Sequence, residues 1–398
     1  MSSNLKPIMF CTQPCMEIFD YINPNTIDTI HLYIDLKNSS TNLFIPDVVQ
    51  EIVETSRRMG KSVESSIFQS IILTCSNWIS AARSRGFNCR IIICNDKGRS
   101  EYHTKLNPLY KKNRKITNVL MEHYSEEMDQ IKTRNWDFAE KICSKLNNIH
   151  FINLNFLESD FLPYYLITRY YNELPNVYHI ISSCDKDHFQ LLNKPNTIMF
   201  SRKSGTTTIL DKQSYLSKFL KINKASIKSQ AKWIDTMSKV NPEYIVLIMA
   251  MCGDVSDNVF GIPKIGDKTA LKMISNNEVV NELIGTVDEL EDRLYNGGKV
   301  ILDKPEIYDS LDNNWKLAVD NNDLLTKAYK QISYESLSRW LDKTDMINVK
   351  VPARKAIDDN INKPFYVYNE LHKENFIKKI KELIHDFHLN DSDLYNLF

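Results

Sequence analysis

The 398-residue chain lacks a charge excess of either sign: 50 Lys and Arg stand against 50 Asp and Glu, for a formal net charge of zero. A nucleic-acid binder usually shows a basic excess, so the total alone argues against that class. The distribution along the chain carries more information than the total. Long apolar runs are also missing. The longest, Tyr244 to Cys252, falls far short of the ~20 residues needed to cross a bilayer. The N-terminus has no charged-then-apolar signal pattern, so the sequence predicts an intracellular protein with no membrane attachment and no secretion. None of the eight cysteines, at 11, 15, 75, 89, 94, 143, 184 and 252, forms a C-x-x-C pair. That excludes a zinc ribbon and a disulfide framework, and predicts buried, reduced thiols. There is no internal repeat and no low-complexity tract. With 42% hydrophobic residues, the chain can bury at least one full core and is expected to form two or three domains.

What is present from about residue 30 is an alternation of short β-rich runs with longer helical ones, the mark of a parallel sheet with crossover helices. Strands are predicted at His31 to Asp35, Arg90 to Cys94, His150 to Leu154 and Tyr178 to Ser182, and a hairpin across Thr197 to Leu210. The segment 62–85 carries Ile67, Ile71, Cys75, Trp78 and Ile79 at helical spacing and stops at Gly86. Beyond 212 the sequence turns helical and Lys-dotted, with a further strand expected at Ile347 to Val351. The predicted organisation is an extension over 1–28, whose prolines disfavour regular structure, an α/β domain over 29–211, a helical module over 212–340, and a C-terminal region over 341–398.

Acids fall where these strands end. Asp35 closes the first, Asp96 follows the second, Glu158 and Asp160 the third, Asp185 and Asp187 the fourth. Parallel strands bring all their carboxyl ends to one edge, which is where ligands bind in open α/β sheets. A single Asp after a strand is usually a turn or cap residue, but four acidic strand ends call for a shared explanation. Two carboxylates ~4 Å apart repel by about 4 kcal/mol at an effective dielectric of ~20, so such a cluster either takes up protons or recruits cations. With oxygen donors and no His or Cys motif, the fitting cations are Mg²⁺ or Mn²⁺, and the fitting partner a phosphate. Another acidic pair, Asp254 and Asp257, runs directly into Gly261-Ile-Pro-Lys-Ile-Gly266-Asp-Lys-Thr-Ala. The two glycines and the following helical run predict a helix-hairpin-helix, whose turn offers backbone N–H groups to a nucleic-acid phosphate. A P-loop is excluded, because Asp267 separates Gly266 from Lys268 and no strand precedes the first glycine.

The segment Gly253-Asp-Val-Ser-Asp-Asn-Val-Phe-Gly-Ile-Pro-Lys-Ile-Gly-Asp-Lys-Thr-Ala270 resembles, almost position for position, a block of the 5′-nucleases. That family includes flap endonucleases, the 5′-nuclease domains of bacterial DNA polymerases, and phage ribonuclease H and 5′-exonucleases. Ile181-Ser-Ser-Cys-Asp-Lys-Asp-His-Phe-Gln-Leu191 resembles the family's Ser-x-Asp-x-Asp segment. Asn95-Asp-Lys-Gly-Arg-Ser, with Pro108-Leu-Tyr-Lys-Lys-Asn-Arg114, resembles its second aspartate and the basic run after it, and is most like the phage branch. The likeness covers roughly residues 30 to 275. It departs at Phe161, where many members carry a further Asp, at Leu36-Lys37, and at Cys184.

The resemblance implies a PIN-like α/β nuclease fold and two Mg²⁺ or Mn²⁺ ions among Asp35, Asp96, Glu158, Asp160, Asp185, Asp187, Asp254 and Asp257. Lys111 and Arg114 would contact the scissile phosphate, and Tyr110 would offer a stacking face for a terminal base. Lys112, Gly261, Ile262, Gly266, Lys268 and Thr269 would bind nucleic acid, with a monovalent cation at the hairpin. An arch over about 105–148 would admit a single-stranded 5′ end, although a plain solvated helix pair fits that charge equally well. The implied activity is that of a monomeric, structure-specific 5′-to-3′ nuclease acting on branched or RNA-primed duplex DNA in the cytoplasm of a bacterial or phage-infected cell. Gln13, Met16 and Phe19 resemble a sliding-clamp peptide, or belong to an element covering the sheet edge. Clamp and single-strand-binding protein are the candidate protein partners. A rival class is a catalytically weak scaffold of the same fold that binds branched DNA, for which Phe161 is the one hint.

Overall fold

The computed structural model describes residues 14, 16–36, 46–59, 63–112, 130, 133–141, 143, 146, 148–172, 174–203, 206–219, 227–344 and 353–359. Six strands form one sheet: β1 (Thr29–Asp35), β2 (Asn88–Lys97), β3 (Ile149–Asn155), β4 (Val177–Ser182), β5 (Thr197–Lys203) and β6 (Thr206–Leu210), in the order β3-β2-β1-β4-β5-β6. The first five run parallel, and β6 returns antiparallel as the second half of the expected hairpin. The chain steps outward from β1 through β2 to β3, then resumes on the other side of β1 with β4 and β5. The boundary between β1 and β4 is therefore the topological switch point, where the loops leaving neighbouring strands diverge and open a crevice.

Alternation along the strands fills two cores. Ile30, Leu32 and Ile34 of β1 face one side with Ile91 and Ile93 of β2, under the helix Val63–Arg83 that contributes Ile67, Ile71, Cys75 and Trp78. Gly86, with φ +86°, ends that helix: its N–H reaches Arg83 O at 2.8 Å and the Phe87 N–H reaches Ala82 O at 3.1 Å, satisfying carbonyls the helix leaves open. Tyr33, Ile92, Cys94, Ile152 and Ile181 face the other side. There they pack on the helix Leu162–Arg169 and on the apolar helix Ile245–Cys252. This second core runs on without a break into Leu271, Leu290, Trp315, Tyr329 and Leu341. The change near residue 212 is thus a change of secondary structure, and the helical segments share a core with the sheet.

Two expectations about the N-terminal extension need correction. Met16–Tyr21 is a 3₁₀ helix rather than irregular chain. Ile18 and Phe19 are buried in the first core, with the Phe19 ring stacked 6.3 Å from that of Phe87. A clamp-binding peptide must present its aromatic residue outward, whereas Phe19 is turned into the first core. The strand expected at 347–351 and most of the tail lie outside the described residues.

Candidate metal and nucleic-acid site

The strand ends place the acids as topology requires. Asp35 ends β1 in register with Cys94 of β2, and Asp96 lies two residues further on the same face. Glu158 and Asp160 sit in the turn after β3, Asp185 and Asp187 in the turn after β4. The turn after β4 is tied to β1 by a short chain of hydrogen bonds. The Asp185 N–H donates to Ser183 Oγ at 3.1 Å, and the Ser183 hydroxyl donates to Asp35 Oδ2 at 3.1 Å. The Asp187 N–H donates to Asp185 Oδ1 at 3.1 Å, an Asx turn that holds the two acids close.

The helical segment contributes the rest of the site. After the helix Ile245–Cys252, strands β7 (Gly253–Asp254) and β8 (Val259–Phe260) form a tight hairpin. Asp254 Oδ1 accepts from the Ser256 N–H at 2.9 Å and its hydroxyl at 2.6 Å. Two asparagines lock this turn to the loop after the helix Glu101–Leu106. The Asn107 side chain donates to Asn258 O at 2.8 Å, and the Asn258 side chain to Leu109 O at 2.7 Å. That clasp carries Tyr110 and Lys111 into the acidic cluster. Lys111, left-handed at φ +54°, donates its N–H to Asp257 O at 3.0 Å. Its ammonium bonds Glu158 and lies 3.4 Å from Asp257 Oδ2, while Lys186 lies 3.1 Å from Asp254 Oδ2.

The charges respond strongly to this crowding. Burial, reinforced by Glu158, Asp185 and Asp187, pushes Asp160 well above the ordinary carboxylate value. Burial, with Asp185, Asp254 and Asp257, does the same to Asp187. Glu158 goes the other way: burial opposes its charge, but His103, Lys111 and hydrogen bonds from Lys111 and Tyr110 outweigh it and hold it at about 2. Burial also keeps His103 below its usual value, so at neutral pH the Lys111 ammonium is the charge that matters to Glu158. Burial disfavours the ammonium of Lys111, yet Glu158, Asp160 and Asp257 raise it. The same contest, with Asp254 and Asp187, raises Lys186. The cluster thus borrows two lysines as counter-charges.

Its donor set fits hard divalent cations. The available donors are carboxylate oxygens, and Asp160 Oδ1 is buried with no hydrogen-bond partner among the described residues, an acceptor position that a cation could fill. Among the described residues no three such side chains are already gathered in a metal-holding arrangement. Lys111 and Lys186 pair with carboxylates of this same cluster.

Three expected roles change on inspection. Tyr110 is 4% exposed, stacked on His103 at 4.4 Å with its hydroxyl donating to Glu158 Oε2 at 2.9 Å. It has no open face for a base, and it positions Glu158 instead. Ile262 is buried and its N–H is spent on Met251 O at 2.8 Å, so it anchors the hairpin rather than meeting a phosphate. Phe161 is fully buried against Tyr165, a core residue, so its replacement of an acid says nothing against catalysis. Gly266 caps the helix Asp267–Ile274 from an exposed position, and Lys268 is exposed with its ammonium 5.7 Å from the Trp233 ring. Lys112 is exposed, and Thr269 partly so. Arg114 and most of the arch region lie outside the described residues. Sequence reasoning missed the Asn107–Asn258 clasp and His103. Asn258 was visible inside the Gly253–Ala270 block, but its partner became identifiable only in three dimensions.

The arrangement is that of a 5′-nuclease fold: a mostly parallel sheet with acids at its carboxyl edge and a helix-hairpin-helix alongside. Residues 240–336 match the family described as 5′-3′ exonuclease, C-terminal SAM fold. Over 110 residues the chain is 29% identical to DNA polymerase I of Bacillus subtilis, an alignment covering 28% of this chain and 10% of that protein. Over 52 residues it is 38% identical to DNA polymerase I of Bacillus caldotenax, covering 13% of this chain and 6% of that one. The chain thus spans only a small part of these relatives' length. Among solved structures, a bacteriophage T5 flap endonuclease with DNA and metal ions aligns at TM-score 0.51 and 16% identity, covering 84% of this chain and 100% of that one. The T5 5′-exonuclease with bound zinc aligns at TM-score 0.50 and 17% identity, covering 84% and 99%. The resemblance seen in the motifs therefore extends to the fold and to the helical segment that carries the hairpin.

Proposed function

We propose that the protein is a structure-specific 5′-to-3′ nuclease that hydrolyses phosphodiesters in branched or RNA-primed duplex DNA, removing primers and 5′ flaps during replication or repair. The observation that carries this reading is the acidic edge itself, where carboxylates at four strand ends stand beside those of the β7–β8 turn and Lys111 and Lys186 pair with Glu158, Asp257 and Asp254. Asp35, Asp96, Glu158, Asp160, Asp185, Asp187, Asp254 and Asp257 are the residues that would hold two Mg²⁺ or Mn²⁺ ions. When bound, these would supply Lewis-acid charge and lower the pKa of an attacking water. Lys111, released from Glu158 and Asp257, is then placed to meet the negative charge growing on the scissile phosphate, and Arg114 is the candidate for a forked contact to it. Tyr110 keeps Glu158 oriented. The hairpin at Gly261 to Thr269, with its candidate monovalent cation, grips duplex phosphates without reading bases. The working unit is a monomer, with single-strand-binding protein as a candidate partner.

The test is a panel of 5′-labelled and 3′-labelled flap, nicked and RNA-primed substrates, each with Mg²⁺ and with EDTA. The proposal expects Mg²⁺-dependent cuts that leave 5′-phosphates. Tight binding of branched DNA with no cleavage under any divalent cation would instead establish the scaffold reading.

A further inference from the structure

Beneath the acids lie two buried polar groups that the proposed mechanism leaves unused. His188 is fully buried, its Nε2 stands 3.8 Å from Asp35 Oδ2, and neither ring nitrogen has a hydrogen-bond partner among the described residues. Tyr334 is 5% exposed, its hydroxyl is likewise without a partner, and its ring lies 6.1 Å from that of His188. A buried donor left unmatched is destabilising, so two side by side call for an explanation. Their surroundings supply it. Burial, then the fields of Asp160, Asp187, Asp185 and Asp35, push the Tyr334 phenol well above its ordinary value, so beside the ring of His188 it is a neutral donor in the field of the acids.

The two residues come from different parts of the chain and are fixed by one glutamine. Gln190 donates to Asp187 O at 2.8 Å and to Ile332 O at 3.1 Å, and accepts from the Tyr334 N–H at 2.8 Å. The turn bearing Asp185, Asp187 and His188 is thereby riveted to the start of the helix Tyr334–Lys343. Asp35 Oδ2 already accepts from Ser183 at 3.1 Å. A second donor on that same oxygen would pin the carboxylate and commit Oδ1 to ligation.

We propose that His188 and Tyr334 are positioning residues: the His188 Nε2–H closes on Asp35 Oδ2, and the Tyr334 hydroxyl donates to the carboxylates above it, so that the acids are held ready for divalent cations. This rests on the nuclease reading of the site. Hydrogen-bonded partners of metal-ligating groups typically contribute a 10–100-fold effect on metal affinity, because they remove freedom the ligand would otherwise lose on binding.

The experiment is a Mn²⁺ titration followed by electron paramagnetic resonance, without nucleic acid, on the full chain and on His188→Leu, His188→Gln and Tyr334→Phe. Melting temperatures are recorded alongside. The expected result is weakening of Mn²⁺ binding by roughly 10-fold or more in His188→Leu and Tyr334→Phe, with partial recovery in His188→Gln, which keeps a donor. At saturating Mn²⁺ the cleavage rate should return toward that of the unaltered protein. If His188→Leu does not fold, the other two variants carry the comparison. Mn²⁺ affinity within about twofold of the unaltered protein in folded Tyr334→Phe, with His188→Leu equally unaffected or unfolded, overturns the inference. A chain that binds Mn²⁺ but cuts nothing refutes the nuclease reading and leaves the affinity comparison intact. A chain that cuts, with variants binding Mn²⁺ normally, refutes the positioning role alone.

Discussion

At the scale of single residues, Lys111 has two partners competing for it. Its ammonium pairs with Glu158 and Asp257, with its side chain 25% exposed. Removing one partner of such a pair leaves the others uncompensated, at a cost toward the lower end of ~3–5 kcal/mol. Lys111→Met should therefore melt several degrees lower in EDTA, and added Mg²⁺ should recover much of the difference by replacing the missing charge. Equal melting of the two proteins with and without Mg²⁺ would contradict the counter-charge role. Cleavage by Lys111→Met should fall by two orders of magnitude or more, and Lys111→Arg should retain part of the activity. The acids around it were legible in the sequence because an acidic residue after a strand is a local feature and parallel pairing multiplies it. The roles of Tyr110, Ile262, His188 and Tyr334 were not. Whether a tyrosine stacks on a base or supports a carboxylate depends on what covers its ring, and here His103 does, from a tertiary contact no spacing encodes.

At the scale of elements, the β7–β8 hairpin depends on contact between bare backbones. A Cβ on Gly253, at φ +72°, would stand 2.3 Å from Gly261 N; one on Gly261 would stand 2.3 Å from the Cys252 carbonyl carbon. Either Gly→Ala change must force the strands apart, with a stability loss of about 2–4 kcal/mol and weaker nucleic-acid binding. Gly266 has open space around it. Gly266→Ala should lower the melting temperature only slightly, as a poorer N-cap, and weaken binding where a phosphate approaches the helix start. A second device spans strands. His31 of β1 and His179 of β4 lie 5.6 Å apart between ring centroids, near Arg90, His150, Tyr33 and Tyr171. Burial holds His179 at about 3 against an ordinary 6.5, and burial, His179, Arg90 and His150 depress His31. In the window from pH 6.5 down toward 3 the unfolded chain binds protons that the folded one refuses. The stabilisation is therefore complete above 6.5 and lost as pH falls. Acid-induced unfolding followed by circular dichroism should show a shallower fall between pH 7 and 4 in His179→Phe, and an unchanged slope would contradict it. The strands and the long helix were predicted to within a few residues, because period-2 and 3.6-residue patterns are local. The N-terminal 3₁₀ helix was missed because its two buried residues find their partners only across the fold.

For the whole molecule, the zero net charge divides into separated fields. An acidic edge draws Lys111 and Lys186 inward, and Lys112, Lys264, Lys268 and Lys272 are exposed around the loop and hairpin. With two Mg²⁺ bound, the protein would carry about four more positive charges than the sequence count, in keeping with a phosphate partner. Binding to duplex DNA should weaken steeply with salt, and Lys268→Ala should reduce the slope of log K against log[salt] by about one. A salt-independent affinity would contradict phosphate contact at the hairpin. The sequence showed the two fields but not that the helical segments share the sheet's core, because amphipathic patterns reveal a buried face without naming what covers it. The central claim is that the acids at the strand ends hold the cations that drive hydrolysis. Its most direct test is single-turnover cleavage of a 5′-flap in Mg²⁺ by Asp96→Asn/Asp185→Asn, set against flap binding by the same protein. Binding retained within a few-fold with cleavage abolished is the predicted result; a double variant that cuts as fast as the unaltered protein would contradict it.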